Sequence, residues 1–191
     1  MRKIEKKMIE YIDKRLALNG AAQNAISKKD ARSLFIYAAE SLVGIREKGG
    51  NNKGPMVELI QETIGNASGE AWCMSFVQTC LAYAEVKTGV TSPIVASETC
   101  THVWDTSPKK QRVKIAPLPG AIIIWQRKGS WQGHTGIVTE FKGKTFEAVE
   151  GNTESGVANG EVMRDGGGVY ITERTLKGYG IMKLLGFLKP F

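Results

Sequence analysis

A chain of 191 residues with 42% hydrophobic and 24% charged side chains is long enough to bury a core without disulfides or metal, and its composition excludes a disordered polymer. Its three cysteines are an odd count and exclude a fully paired disulfide scaffold. The formal charge of +7 suits an anionic partner such as an acidic cell-envelope polymer or membrane surface.

The opening stretch MRKIEKKMIEYIDKRLALNG has no uncharged run long enough for a signal peptide or membrane-spanning helix, so synthesis in the cytoplasm is expected. Ile4, Met8, Tyr11, Ile12 and Leu16 fall on one helical face, opposite Lys3, Lys6, Lys7 and Lys14. Nucleic-acid binding through this basic face is disfavoured, because the positive charges are spread over the chain rather than gathered in one stripe. Ser27 followed by Asp30 resembles a capping box with Asp in place of Glu or Gln. A second helix is then expected from about Lys28 through Leu34, Phe35, Ala38 and Leu42 to near Gly44. Arg46 to Gly54 reads as a turn, and Pro55 opens a short third helix ending at Gly65.

The stretch EAWCMSFVQTCLAYAEVKTG, Glu70 to Gly89, has the apolar pattern of a helix of four turns, with Cys73 just inside its start. Unpaired backbone N–H groups and the positive end of the helix dipole favour a thiolate there. Cys80 lies roughly 10 Å further along the same axis, too far for a disulfide with Cys73. Free thiols are therefore expected, or at most a pair involving Cys100, in a reducing compartment. The following segment reads as a loop with one short helix, and His102 is expected in the loop part. His102, Cys100 and Glu98 fall short of a zinc ligand set.

From Pro117 the pattern changes to strands. Ala121 to Arg127, Gly133 to Phe141 and Thr145 to Asn152 are three, with a polar turn at Lys142 to Lys144. A Gly-rich loop from Ser155 leads to a strand near Val169 to Arg174, and Gly180 to Pro190 is the last strand. Helices followed by an antiparallel sheet make an α+β protein.

A cysteine nucleophile needs a base and a group that orients it. His134 heads a strand of the sheet expected to pack on the Cys73 helix, and so leans onto the helix start from a rigid base. A hairpin turning near Gly143 brings residue 150 close to residue 136, so Glu150 or Asn152, two apart on one strand face, can hold the imidazole.

EAWCMSFV, LPGAIIIWQ, GHTGIV and EAVEGNT, in this order, resemble the successive motifs of the CHAP family, cysteine- and histidine-dependent amidohydrolases and peptidases. The related NlpC/P60 family fits less well, since it favours an Asp-Cys-Ser start. The resemblance implies a papain-like fold, with N-terminal helices on an antiparallel sheet. It implies a catalytic domain over residues 44–191 preceded by a helical extension over 1–43. It places the nucleophile at Cys73, the general base at His134 and the third polar residue at Glu150, with Asn152 as an adjacent family position. It also implies cleavage of an amide bond in peptidoglycan; a monomer is expected, reaching the wall after holin-like release, on a virion or as a secreted effector. Asn51 and Asn52 stand where some members carry an Asp-rich calcium loop, so neither metal nor cofactor is expected; Ala121 replaces an acidic residue usual after the Pro-Gly turn. Trp72, Trp125 and Trp131 flank the motifs and either line a groove for sugar or peptide or pack in the core, the latter reading being stronger for Trp72 and Trp125. The alternative to an enzyme is a non-catalytic wall- or partner-binding module on the same scaffold.

Overall fold

Helix α1, Lys6–Leu16, forms where the apolar stripe is densest and buries Met8, Ile12 and Leu16. Between it and the next expected helix, the computed structural model, which describes residues 2–114, 116–153 and 167–191, contains an additional helix. This is α2, Gly20–Ser27, capped by the Asn19 side chain, which accepts from the Ala22 N–H. The Ser27 cap expected from sequence is therefore replaced. Ser27 ends α2, and Asp30 caps α3, Ala31–Ser41, by accepting from the Ser33 N–H at 3.0 Å and the Ser33 hydroxyl at 2.7 Å. Asp caps as well as Ser does, and the αL turn at Lys29, φ 56°, separates the two helices.

Helix α4, Pro55–Glu62, starts on its proline as expected. Helix α5, Cys73–Thr88, is buried on nearly every side and ends at Gly89 in the left-handed conformation. A helix buried all round is a central element, and α3 lies against it on one side and strands on the other. Helix α1 is tied to it through Asp13, which accepts from Tyr83 Oη at 2.7 Å and pairs with Lys87 Nζ at 2.8 Å. Arg2 reaches the same helix, pairing with Glu85 at 2.8 Å. Residues of α1 to α5 share one apolar core with Ile122, Ile124, Ile137, Val149 and Leu188 of the sheet. Cys100 and His102 stand on α6, Cys100–Thr106, which corrects the loop placement of His102.

The sheet has six antiparallel strands in the order β1-β6-β2-β3-β4-β5. They are β1 Arg112–Val113, β2 Ile122–Arg127, β3 Gly133–Phe141, β4 Thr145–Thr153, β5 Gly168–Thr175 and β6 Met182–Leu188. The two-residue β1 is an addition to the expected set. The fold is α+β. Of the expected Gly-rich loop, residues 155–166 lie outside the described residues. The β3–β4 register pairs Ile137 with Val149, which sets position 136 opposite 150. Alternation then sorts the strands: Ile122, Ile124, Ile137 and Val149 face the helices, whereas Ile123, Trp125, Val138 and Ala148 face a smaller cluster on the other side. Among the described residues no helix is long and apolar enough to cross a membrane.

Candidate active site

Cys73 is the first residue of α5, and no side chain caps that helix start. The turn leading into it is pinned from several directions. Asn66 Nδ2 donates to the Ala71 carbonyl at 3.1 Å and to Ser75 Oγ at 3.0 Å, and Gln61 Nε2 donates to the Glu70 carbonyl at 2.7 Å. The Trp72 indole N–H reaches Glu47 Oε1 at 2.9 Å. The nucleophile candidate thus sits on a rigid step with the helix N–H groups beside it, only 7% exposed.

His134 follows Gly133 at the start of β3. Trp125 pairs with it across β2, and the two rings stack with centroids 5.8 Å apart. His134 Nε2 lies 2.9 Å from Glu150 Oε2, which leaves Nδ1 as the ring nitrogen not engaged by that carboxylate. Gly136 makes room for the pairing, because a Cβ there would lie 2.6 Å from Glu150 Cγ. Gly151 does the same on the helix side, where a Cβ would lie 2.6 Å from the Phe76 Cβ. Absent side chains at these two positions let the carboxylate lie flat over β3 and let α5 approach β4.

Glu150 is fully buried and ionised. Arg174 on β5 donates to both of its oxygens, Nε to Oε1 at 2.8 Å and Nη2 to Oε2 at 2.7 Å, and Thr172 Oγ1 donates to Oε1 at 2.5 Å. Burial pushes the carboxyl upward, but Arg174 and His134 outweigh it and hold it at about 2. Burial likewise pushes the His134 imidazolium down, and the Cys73 sulfur and Glu150 together raise it to about 9. Cys73 is drawn well below the ordinary thiol range, first by a hydrogen bond from Cys100 and then, against burial, by His134 as hydrogen-bond partner and as charge. These directions favour a Cys73 thiolate and a protonated His134 ring beside the ionised Glu150.

Cys73, His134 and Glu150 are thus brought together. Asn152 is buried, but it takes φ 55° where the β4–β5 register shifts between Glu150 and Thr153. Simple alternation with Glu150 is therefore broken there by a bulge. The groove expectation is corrected for Trp72 and Trp125, both wholly inside the protein: the first anchors the Cys73 turn and the second forms the floor under His134. Trp131 is 68% exposed, on the loop before β3, its carbonyl accepting from Thr101 Oγ1 at 2.8 Å. Arg174, Thr172 and Cys100 were not foreseen. Thr172 and Arg174 are two apart in a strand, a polar period-two signal, whereas Cys100 carries no local signal. Among the described residues no three His, Cys, Asp or Glu side chains gather as a metal site.

Residues 65–152 match the family model described as CHAP domain. Over this segment the chain is similar to the CHAP domain. No curated protein and no solved structure shows a significant match to the chain. The CHAP family comprises peptidoglycan hydrolases acting as amidases or peptidases. The matched segment contains Cys73, His134 and Glu150, while Arg174 and Thr172, which hold the carboxylate, lie beyond it.

Proposed function

We propose that the protein is a cysteine-dependent hydrolase that cleaves an amide bond of peptidoglycan, either the muramoyl-alanine amide or a peptide bond. The observation that carries this reading is the buried contact of His134 with Glu150 beside a cysteine at the first residue of α5. The Cys73 thiolate attacks the carbonyl carbon, and the oxyanion is received by backbone N–H groups at the start of α5. The His134 imidazolium gives its proton to the leaving amine, and an acyl thioester remains on Cys73. His134 then takes a proton from water, which attacks the thioester carbon; the C–S bond breaks, and the Cys73 thiolate is returned beside the protonated His134. Glu150 holds the ring and stabilises its cation, as the acid of a triad does.

Asn152 assists polarisation from the adjacent bulge, and the exposed Trp131 offers a ring face to sugar or peptide. The +7 charge keeps the enzyme near anionic envelope polymers. Residues 44–191 act as the catalytic unit, with 1–43 as its helical extension, made in the cytoplasm and delivered to the wall.

The test is release of amines or soluble fragments from purified peptidoglycan. Cys73→Ala and His134→Ala each lower the rate by about 10⁴-fold or more, and Cys80→Ala, buried in mid-helix, leaves it unchanged. Activity retained in Cys73→Ala overturns the proposal. Mass spectrometry of the products identifies the scissile bond.

A further inference from the structure

Two of the three thiols meet in the site. Cys73 Sγ and Cys100 Sγ are 3.8 Å apart, both buried and both unpaired. Cys100 is set there by the fold. It opens α6, which packs on β2 and β3, and it rests against Gly133, where a Cβ would lie 2.8 Å from the Cys100 Cβ. A disulfide sulfur pair is ~2.05 Å apart, so the two atoms need to approach by about 1.8 Å. The proposed hydrolysis requires no second thiol. Cys80, by contrast, is wholly buried in the middle of α5.

We propose that Cys73 and Cys100 form a reversible disulfide, with Cys73 the sulfur that peroxide oxidises and Cys100 the one that resolves it. The Cys73 thiolate attacks a peroxide oxygen, the O–O bond breaks and hydroxide leaves, taking a proton from the His134 imidazolium as water. Cys73 is now a sulfenic acid, oxidised by two electrons, and the peroxide is reduced. The Cys100 sulfur attacks that sulfur, the S–O bond breaks, and the hydroxide departs with the Cys100 proton as a second water. A dithiol reductant reverses the bond by thiol–disulfide exchange and is itself oxidised. While the bond exists the nucleophile is occupied and is shielded from irreversible oxidation. The loss of hydrolysis rests on the proposed cysteine mechanism; formation of the bond does not.

The full-length protein and its Cys100→Ser variant are treated with a small excess of hydrogen peroxide, quenched with catalase, alkylated under denaturing conditions and mapped by mass spectrometry. Peptidoglycan hydrolysis is assayed before treatment, after it, and after dithiothreitol. The wild type is expected to lose two hydrogens, yield a linked Cys73–Cys100 peptide, lose hydrolysis and regain it with dithiothreitol. Cys100→Ser is expected to gain two oxygens on Cys73 and to stay inactive after reductant. Oxygen addition at Cys73 of the wild type with Cys100 still alkylated overturns the proposal, as does full recovery of Cys100→Ser. If Cys100→Ser does not fold, the wild-type map decides alone. A reversible link in a protein that never hydrolyses peptidoglycan upholds the disulfide and removes the hydrolase reading.

Discussion

The two faces of the sheet are built on opposite terms. The face toward α5 is mainly apolar, with Ile122, Ile124, Ile137 and Val149 packed among helix side chains. The other face begins in the same style, with Ile123, Val138 and Ala148, and then gives way to a buried imidazole, carboxylate and guanidinium. Hydrophobic packing would serve the second face as well, since a buried ion pair is seldom more stabilising than apolar residues of similar volume. Every oxygen of Glu150 is nevertheless met by a donor, two from Arg174 and one each from Thr172 and His134. Charge kept inside at this cost, and so fully partnered, supports the proposed site.

Arg174→Ala breaks the ionic face most severely. It leaves the buried carboxylate short of two donors, and a loss of about 3–5 kcal/mol in stability is expected from denaturant unfolding. Peptidoglycan hydrolysis falls with it as the imidazole loses its fixed partner.

The pH dependence of the melting temperature separates the two faces without a large structural change. Glu150 is held at about 2 against an ordinary 4.5, so its contribution is complete above 4.5 and is lost as pH falls through about 2. His134 is raised to about 9 from 6.5; its contribution is complete below 6.5 and is lost as pH rises through about 9. Glu150→Gln flattens the acid limb relative to wild type. A helix-face variant leaves the shape of the profile intact and lowers it uniformly.

Gly151→Ala is that variant. Its methyl group meets Phe76 and, at 3.0 Å, the Trp72 ring, and the overpacking is expected to cost about 1–3 kcal/mol. Trp131→Ala touches neither face. Thermal melting is expected to move by no more than about 0.5 kcal/mol equivalent, while KM for peptidoglycan fragments rises; an unchanged KM removes Trp131 from the substrate groove.

The pairing of His134 with Glu150 was legible because it depends on local facts. A three-residue polar turn joins β3 to β4, and the register that follows sets 136 opposite 150. The Cys73 helix was legible for the same reason, its apolar run continuing from Cys73 to the Gly89 stop. Helix α2 was not, since GAAQNAIS is short and small and lacks a broad apolar stripe. Asp30 displaced Ser27 as a cap because Ser27 Oγ turns back to the Asn24 carbonyl at 3.4 Å inside α2. Arg174 stands 24 residues from Glu150, beyond a segment whose length hides the β5 register, and no alternation rule carries across such a gap. Cys100 lies 27 residues from Cys73 and meets it only through the packing of α6 on the sheet. Asn152 shows the limit of the period-two rule, which holds until a bulge intervenes.

Gly133, Gly136 and Gly151 carry no functional group, yet Cys100, Glu150 and Phe76 each occupy the space a methyl group would fill. Together they act as a mould, shaping the site by what they leave out. For anyone sifting genomes for proteins that share the proposed site, its cysteine, histidine and glutamate are a permissive filter, since the three can align where helix and sheet never touch. Demanding a glycine one before and two after the histidine, and one after the glutamate, selects the sequences in which the parts are able to meet.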